Sequence, residues 1–346
     1  MASLLPERLV LQWHITERCN LRCTHCYQSS FDSKEPDFEQ LINSTLQYIE
    51  LLKQWNLERY GHFVPGHINI TGGEPFIRND FIDFLEYLAK KANFFSFGIL
   101  CNGSLIDEKI ASKLKNLGVN FVQLSLEGGN ETNDIIRGLG SYQKTIGAIK
   151  HLKKVGIRVY ISFTASTQNY VEFSQVAKLG QKLKVDKVWT DRMVPFEGAQ
   201  NQKNLLLQKD EFRNYLQVIK TAQSKKPFLS KTKIEMARAL MFLKGGECIY
   251  RCKAGDSLLC LLHNGDVLVC RRLPLVAGNI HEKSLSEIYN QSTVMKNIRN
   301  VSFPVECDHC SYQKSCKGGA KCISYAMKNN YSVADPSCFV KKDEMY

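Results

Sequence analysis

The sequence is short of the features that mark membrane, secreted and nucleic-acid-binding proteins. Its 346 residues contain no run of about 18 apolar residues, which excludes a typical membrane-spanning helix. The stretch from Met1 to Glu7 lacks the apolar core of a signal peptide. No arginine-rich tract occurs, and the lysines are dispersed, with only short pairs such as Lys225-Lys226. Despite a formal net charge of +12, we therefore expect a cytoplasmic protein that binds neither a membrane nor nucleic acid.

Cysteine is the residue type that the sequence has in excess. There are 13 cysteines, and because disulfide bonds are disfavoured in a reducing cytoplasm, metal binding is the leading explanation. Three cysteines lie at positions 19, 23 and 26, one lies at 101, and nine lie between 248 and 338. Hydrophobic residues make up 44% of the chain, which is enough for a buried core. The composition thus predicts a globular protein with metal sites near both ends.

Apolar runs of strand length alternate with helical patterns along the first two thirds of the chain. We predict six strands, at Leu9–Thr16, His67–Gly72, Phe95–Cys101, Phe121–Leu126, Arg158–Ala165 and Lys187–Val194. Helices are predicted after them, at Phe38–Gln54, Asp80–Lys91, Glu108–Leu117, Tyr142–Val155, Tyr170–Leu183 and Asp210–Gln223. This order predicts an α/β fold, a partial (β/α)6 barrel with linker helices over residues 1–240. A small cysteine-rich α+β domain is expected over residues 241–346, and functional groups should collect at the carboxyl ends of the strands.

The first predicted strand leads directly into a loop with three cysteines, Cys19, Cys23 and Cys26. Three thiolates can hold three irons of a [4Fe–4S] cube and leave the fourth iron open to a substrate or cofactor. A zinc loop with His25 as the fourth ligand is the alternative, since structural zinc sites are normally closed by four ligands. The spacing favours an iron–sulfur cluster with a vacant corner.

This C-x3-C-x2-C loop, with Tyr27 after its third cysteine, resembles the signature of the radical S-adenosylmethionine (SAM) superfamily. Gly72-Gly73-Glu74-Pro75 is similar to the family's GGEP motif, and Asn102-Gly103 is similar to its TNG turn. The resemblance implies that the three cysteines hold a SAM-binding cluster and that SAM yields a 5′-deoxyadenosyl radical. It also implies a cofactor site formed by Tyr27, Gly72, Gly73, Glu74, Asn102, Ser125, Arg137, Thr164 and Arg192.

Some of these residues have a specific expected contact. Glu74 would accept hydrogen bonds from the ammonium group of SAM, and Ser125 would contact its ribose. Arg137 would pair with the carboxylate of SAM, although an exposed helix end is an equally good explanation of its position. Arg192 would bind a substrate carboxylate or line the cavity. No catalytic acid or base is predicted.

The C-terminal cysteines also follow a specific spacing. The segment His263-Asn264-Gly265-Asp266 predicts a hairpin turn that brings two of them to one site, and a pair of zinc knuckles is the alternative on spacing alone. The region is similar to the SPASM domain, with C-x5-C-x5-C from Cys310 to Cys322 in place of the usual C-x5-C-x3-C. The resemblance implies a proximal auxiliary [4Fe–4S] cluster on Cys252, Cys270 and Cys322, with Cys248 as the expected fourth ligand. If Cys248 does not ligate, that cluster would have an open iron for substrate. The resemblance also implies a distal cluster on Cys307, Cys310, Cys316 and Cys338, while Cys101 and Cys260 would be buried free thiols.

Together the two resemblances imply an enzyme with three [4Fe–4S] clusters that abstracts hydrogen from a peptide residue. The product would be a crosslink, a thioether or an epimer in a ribosomal peptide. The rival functions are formylglycine formation in a sulfatase, decarboxylation of a haem precursor, and electron transfer by a non-catalytic iron–sulfur scaffold. The expected partners are a peptide or protein substrate and a reductant such as flavodoxin or ferredoxin. Because the barrel begins within ten residues of the N-terminus, a separate leader-recognition protein is expected unless the substrate is recognised directly.

Overall fold

One twisted sheet organises the fold in the computed structural model, which describes residues 6–28, 30–196, 202–236, 238–244, 250 and 252–340. Its first part is parallel and consists of β1 (Val10–His14), β2 (Gly66–Thr71), β3 (Phe95–Cys101), β4 (Val122–Ser125), β5 (Val159–Ala165), β6 (Lys187–Arg192) and β7 (Lys233–Glu235). On the other side of β1, β8 (Leu258–Leu261) pairs in parallel, and β9 (Asp266–Cys270) and β10 (Leu273–Asn279) follow antiparallel. The order runs from β10 at one edge to β7 at the other.

Helices cover the outer face of the parallel strands. They are α1 (Phe38–Tyr60), α2 (Phe81–Ala89), α3 (Glu108–Asn116), α4 (Asn130–Arg137), α5 (Ser141–Lys154), α6 (Phe173–Lys182) and α7 (Lys209–Ser224). The C-terminal part adds α8 (Leu285–Gln291), α9 (Thr293–Arg299), α10 (Gln313–Cys316) and α11 (Lys321–Lys328). The start of α1 illustrates local control by sequence: the Asp37 side chain accepts from the Gln40 N–H, and the Gln40 side chain accepts from the Asp37 N–H.

Alternation along the strands separates a core face from a concave face. On β1, Leu11 and Trp13 are buried, and Trp13 packs edge-on against Phe84 of α2 with ring centroids 5.3 Å apart. On β4, Val122 and Leu124 are buried, whereas the intervening residues are half-buried on the opposite face. Because side chains alternate across a strand, the polar residues at the strand ends are collected on the concave side.

The predicted α/β class and parallel sheet are confirmed, and each of the six predicted strands is present. The short helix α4 and strand β7 were not predicted. Helix α4 is mostly polar, and it buries Asn133, Ile136 and Arg137, a mixture that gives little apolar periodicity. Strands β8, β9 and β10 lie beyond the predicted boundary at residue 240 and extend the same sheet as the barrel strands. Among the described residues, no helix combines the length and apolar character needed to cross a membrane.

A buried ion pair joins the barrel strands to the C-terminal part. Arg192, at the end of β6, donates from its two terminal nitrogens to the two carboxylate oxygens of Asp335, at 3.0 and 2.7 Å. Both side chains are essentially inaccessible, and the guanidinium lies over the Phe212 ring of α7. Breaking such a pair leaves an uncompensated buried charge, so the pair fixes the C-terminal segment against β6.

Candidate functional site

The cysteine loop is held by direct backbone contact with the segment after β2. The N–H of Gly73 donates to the carbonyl oxygen of Thr16 at 2.9 Å, and the N–H of Glu74 donates to that of Arg18 at 2.8 Å. A Cβ atom at Gly72 would lie 2.3 Å from the Thr16 oxygen, and one at Gly73 would lie 2.2 Å from the Arg18 oxygen. Glycine is therefore required because two backbones touch, and the close approach that these glycines permit is to the cysteine loop itself.

Side-chain amides brace the loop from other directions. The amide of Asn102, after β3, donates to the Asn20 side-chain oxygen at 2.9 Å. The amide of Gln202 donates to the Cys26 carbonyl oxygen at 2.8 Å, and the Thr24 N–H donates to a carbonyl oxygen of α4 at 2.9 Å. Asn102 thus lies at the site, where it orients the cysteine loop.

The three thiols of the loop form a donor set suited to iron. Cys19 lies within electrostatic range of Cys23 and Cys26, and Cys23 lies within range of Cys26. Burial raises the pKa of the Cys19 and Cys23 thiols, so a positive centre is needed to stabilise their thiolates. Soft thiolate ligands of this kind match an iron–sulfur cluster. Within the described ranges, no three His, Cys, Asp or Glu side chains are placed to hold a single metal ion.

A buried charge network lies beside the loop. The Glu127 carboxylate accepts from the Arg137 guanidinium at 3.0 Å and from the Thr164 N–H at 2.8 Å, and His25 Nε2 lies 3.4 Å away. Burial alone would raise the pKa of Glu127, but His25, Arg137 and the Thr164 N–H hold it below its usual range. Arg137 also lies within electrostatic range of Cys23. Of the two explanations for Arg137, the structure favours the site over the exposed helix end, because the residue is only 9% exposed.

Glu74 is held by backbone hydrogen bonds at the ends of two neighbouring strands. Its side chain is fully buried and accepts from the N–H groups of Asn102 at 2.8 Å and Phe76 at 3.2 Å. Burial raises the pKa of Glu74 to about 7, despite those two hydrogen bonds and the charge of Arg137. The carboxylate therefore ties the end of β2 to the end of β3, and its contact with SAM stays a prediction.

Other predicted cofactor residues line the concave face near the loop. The Tyr27 ring packs against His14 at 5.8 Å between centroids and lies under the Arg271 guanidinium at 4.2 Å. Ser125 is half-buried at the end of β4. Thr164 borders a small cleft together with His25, Ile136, Ser166, Gln168, Asn169 and Met193. This cleft joins the cysteine loop to the ends of β5 and β6.

Arg192 does not lie with the other predicted cofactor residues. Its terminal nitrogens are engaged by Asp335, and its side chain is directed to the helix-covered side of β6. The preceding residue, Asp191, instead receives hydrogen bonds from Arg238, at 2.8 Å, and from Arg272. The sequence does not single out Asp191, because its arginine partners lie 47 and 81 positions away along the chain. The structure thus corrects the expectation that Arg192 lines the cavity.

Buried histidine nitrogens without a hydrogen-bond partner lie around the loop. They are Nε2 of His14, Nδ1 of His25 and Nδ1 of His263 among the described residues. His14 lies within electrostatic range of Arg271 and His263, and its burial, with those neighbours, holds its pKa well below the usual value. Buried polar atoms are normally satisfied, so these atoms mark places where a bound molecule would add hydrogen bonds.

The C-terminal thiols form two separate groups. Cys252 and Cys270 lie within electrostatic range of each other and of Cys322. The second group contains Cys307, Cys310, Cys316 and Cys338, which lie within electrostatic range of one another. These groups coincide with the proximal and distal ligand sets implied by the resemblance, whereas Cys248 lies outside the described residues. Cys101 and Cys260 are buried, as expected for free thiols.

Two family models match this chain. One describes the radical SAM superfamily and matches residues 13–180, and the other describes an iron–sulfur cluster-binding domain, SPASM, and matches residues 252–316. These matches support iron–sulfur chemistry over the zinc alternatives.

Individual proteins are similar over most of the chain. Fe-coproporphyrin III synthase of Methanosarcina barkeri is 26% identical, over 98% of this chain and 90% of its own length. Mycofactocin maturase MftC of Mycolicibacterium smegmatis is 27% identical, over 96% of this chain and 83% of its own length. The crystal structure of Streptococcus suis SuiB bound to precursor peptide SuiA shares the fold, with a TM-score of 0.72 and 17% identity over 97% of this chain and 77% of that one.

Proposed function

Since this chain belongs to the radical SAM superfamily and carries a C-terminal SPASM domain, we propose that it is a peptide-modifying enzyme. The observation that carries the proposal is the three-thiol loop, which is fixed by Gly72-Gly73 and lies beside the buried Arg137. Support for a peptide substrate comes from the similarity to mycofactocin maturase and from the shared fold with SuiB. A peptide substrate, the bond formed and the reductant are part of the proposal.

The cysteines of the loop and Arg137 have specific proposed roles. Cys19, Cys23 and Cys26 would hold the SAM-binding cluster, and Arg137 would bind the SAM carboxylate. When bound, SAM and this cluster supply a 5′-deoxyadenosyl radical that abstracts hydrogen from the substrate. The backbone after β2 keeps the loop at the carboxyl edge of the sheet.

The C-terminal thiols would hold two auxiliary clusters. Cys252, Cys270 and Cys322 would ligate the proximal one together with Cys248, and Cys307, Cys310, Cys316 and Cys338 the distal one. Their all-sulfur donor sets and their separation into two groups support this assignment. A leader-recognition partner is a further part of the proposal.

A second candidate function is modification of a tetrapyrrole side chain. The similarity to Fe-coproporphyrin III synthase over nearly the whole chain favours it. The two candidates share the SAM site and differ only in the molecule that occupies the concave face.

Iron content and SAM cleavage test the shared part of the proposal. Anaerobically reconstituted protein should hold about twelve irons per chain and form 5′-deoxyadenosine under reduction. Replacing Cys19, Cys23 and Cys26 by alanine should lower the content to about eight irons and abolish cleavage. Unchanged cleavage in this variant would contradict the assignment of the loop.

Deuterium transfer distinguishes the two substrates. Peptides encoded by short neighbouring reading frames and an iron tetrapyrrole precursor of iron-coproporphyrin III would each be supplied in deuterated form. Transfer of deuterium from the peptide to 5′-deoxyadenosine, with a mass change in that peptide, supports peptide modification. Transfer from the tetrapyrrole alone would replace this proposal by the second candidate.

A further inference from the structure

The two groups of C-terminal thiols lie in opposite electrostatic surroundings. The charged side chains that act most strongly on the proximal thiols are one carboxylate and four cations: Asp191, Arg192, Arg238, Arg272 and Lys321. Those that act on the distal thiols are three carboxylates and two lysines: Glu306, Asp308, Asp335, Lys209 and Lys321, the last of which also interacts with Cys316. The proximal group is therefore surrounded by net positive charge and the distal group by net negative charge.

Arg272 is the cation most firmly fixed at the proximal group. It follows Cys270 by two residues, and its guanidinium donates to the Asp191 carboxylate and, at 2.7 Å, to the Arg192 carbonyl oxygen. It lies within electrostatic range of both Cys270 and Cys322. An arginine stays charged at any pH at which the protein is folded, so this positive charge is permanent.

Asp335 is the carboxylate most firmly fixed at the distal group. Its side chain accepts from the Ala320 N–H at 3.0 Å, and its carbonyl oxygen accepts from the Cys338 N–H at 2.9 Å. It acts on Cys316 and Cys338, while its ion-pair partner Arg192 acts on Cys322 of the proximal group. The buried Arg192–Asp335 pair thus lies between the groups, with its positive end toward the proximal thiols and its negative end toward the distal thiols.

Charge next to an iron–sulfur cluster sets its reduction potential. Reduction adds one negative charge, which neighbouring cations stabilise and neighbouring carboxylates destabilise. Charges act more strongly in a buried site than in water, because the effective dielectric constant is lower. In the proposed assignment each cluster has four cysteine ligands, so we attribute the difference in reduction potential to the charges of the surrounding side chains.

We propose that the proximal auxiliary cluster has the higher reduction potential and that Arg272 is a residue that sets it. The inference rests on the proposed function, in that it takes the two thiol groups as cluster ligands. An electron shared between the auxiliary clusters resides mainly on the proximal one, beside the end of β6. The distal cluster is then the harder of the two to reduce.

The test is a potentiometric titration of the full-length chain in which Cys19, Cys23 and Cys26 are replaced by alanine. This background removes the signal of the SAM-binding cluster, and electron paramagnetic resonance follows the two remaining couples. Arg272→Gln should shift the higher-potential couple to lower potential and leave the other in place. Arg272→Lys, which keeps the charge, should give a smaller shift.

The double variant Glu306→Gln/Asp308→Asn supplies an independent reading from the distal side. Both residues are exposed, so the fold is spared, and the lower-potential couple should move to higher potential by a modest amount because solvent screens these charges. The inference is overturned if Arg272→Gln moves the lower couple, or moves neither. If the background variant holds about eight irons but Arg272→Gln does not shift the higher-potential couple, only the inference about reduction potentials is overturned. If the background variant holds no iron, the assignment of the C-terminal cysteines as cluster ligands is overturned as well.

Discussion

Glu74 and Glu127 are two buried carboxylates that follow β2 and β4, and their pKa values are shifted in opposite directions. Glu74 is fully buried and accepts only from backbone N–H groups, and its pKa is raised to about 7. Glu127 is equally buried, but it also has Arg137 and His25 as partners, and its pKa is lowered. Burial therefore does not decide the charge of a site carboxylate; the cationic partner does.

The two carboxylates differ in whether their observed contacts require a negative charge. Glu74 joins the ends of β2 and β3 and has no charged partner in direct contact, so it can do its work as a neutral or an ionised group. Glu127 keeps Arg137 in place beside the cysteine loop, and it needs its negative charge to do so. We expect the two residues to respond in opposite ways to substitution and to pH.

The largest expected effect comes from removing the cation that distinguishes the two sites. Arg137→Gln leaves the buried Glu127 carboxylate with only His25 and the Thr164 N–H as direct partners, and breaking such an ion pair costs about 3–5 kcal/mol of the free energy of unfolding. The same change should abolish measurable SAM binding, because the proposed carboxylate partner is lost. Urea unfolding under anaerobic conditions and equilibrium dialysis with SAM measure the two effects.

A double variant provides the matched control. Arg137→Gln with Glu127→Gln removes both charges, so most of the lost stability should return while SAM binding stays absent. A double variant as unstable as the single one would show that the pair does not account for the loss. Restored SAM binding would remove Arg137 from the proposed site.

A smaller effect should appear in the pH dependence of stability. The pKa of Glu74 is raised from 4.5, its value in the unfolded chain, to about 7 in the folded protein. Its contribution to the free energy of unfolding is therefore fully present below pH 4.5 and is lost as pH rises through 7. The loss is up to about 1.4 kcal/mol per pH unit. His67, whose pKa is lowered to about 4, acts in the opposite direction over part of this range.

We therefore compare the pH dependence of the free energy of unfolding between the wild-type protein and Glu74→Gln. Stability measured by urea unfolding between pH 5 and 7 should fall less steeply with rising pH in the variant. Parallel curves for the two proteins would mean that Glu74 titrates normally in the folded state. A steeper curve in the variant would reverse the comparison with Glu127.

The sequence predicted the sheet and the cysteine groups because both depend on local pattern. Strand periodicity is readable over a few residues, and the spacing of Cys19, Cys23 and Cys26 lies within one loop. The sequence predicted Gly72 and Gly73 as cofactor-site residues, whereas their close contact with the backbone of the cysteine loop is seen only in the structure.

The charged partners could not be predicted, because they join residues that are distant in sequence. Arg192 pairs with Asp335 across 143 positions, and Arg272 reaches Asp191 across 81. The position of Arg192 at the end of β6 suggested a residue that lines the cavity. Side chains at a strand end can lie on either face of the sheet, and Arg192 pairs with Asp335 on the helix-covered face. A single sequence shows which residues can ionise, but it does not show which of them form ion pairs in the folded protein.

The smallest expected effect tests how Glu74 is connected to the cysteine loop. Asn102 donates its backbone N–H to Glu74 and its side-chain amide to Asn20 of the loop, at 2.8 and 2.9 Å. Asn102→Ala keeps the first bond. It removes the second, together with the bond that the Asn102 side-chain oxygen accepts from the Ser104 N–H at 2.8 Å, at a cost of about 0.5–1.5 kcal/mol for each bond. We expect a chelator to remove iron faster from the first cluster, while the Glu74-dependent pH slope persists. If the slope disappears too, the amide side chain and not the backbone controls Glu74, and the contrast with Glu127 would have a different origin.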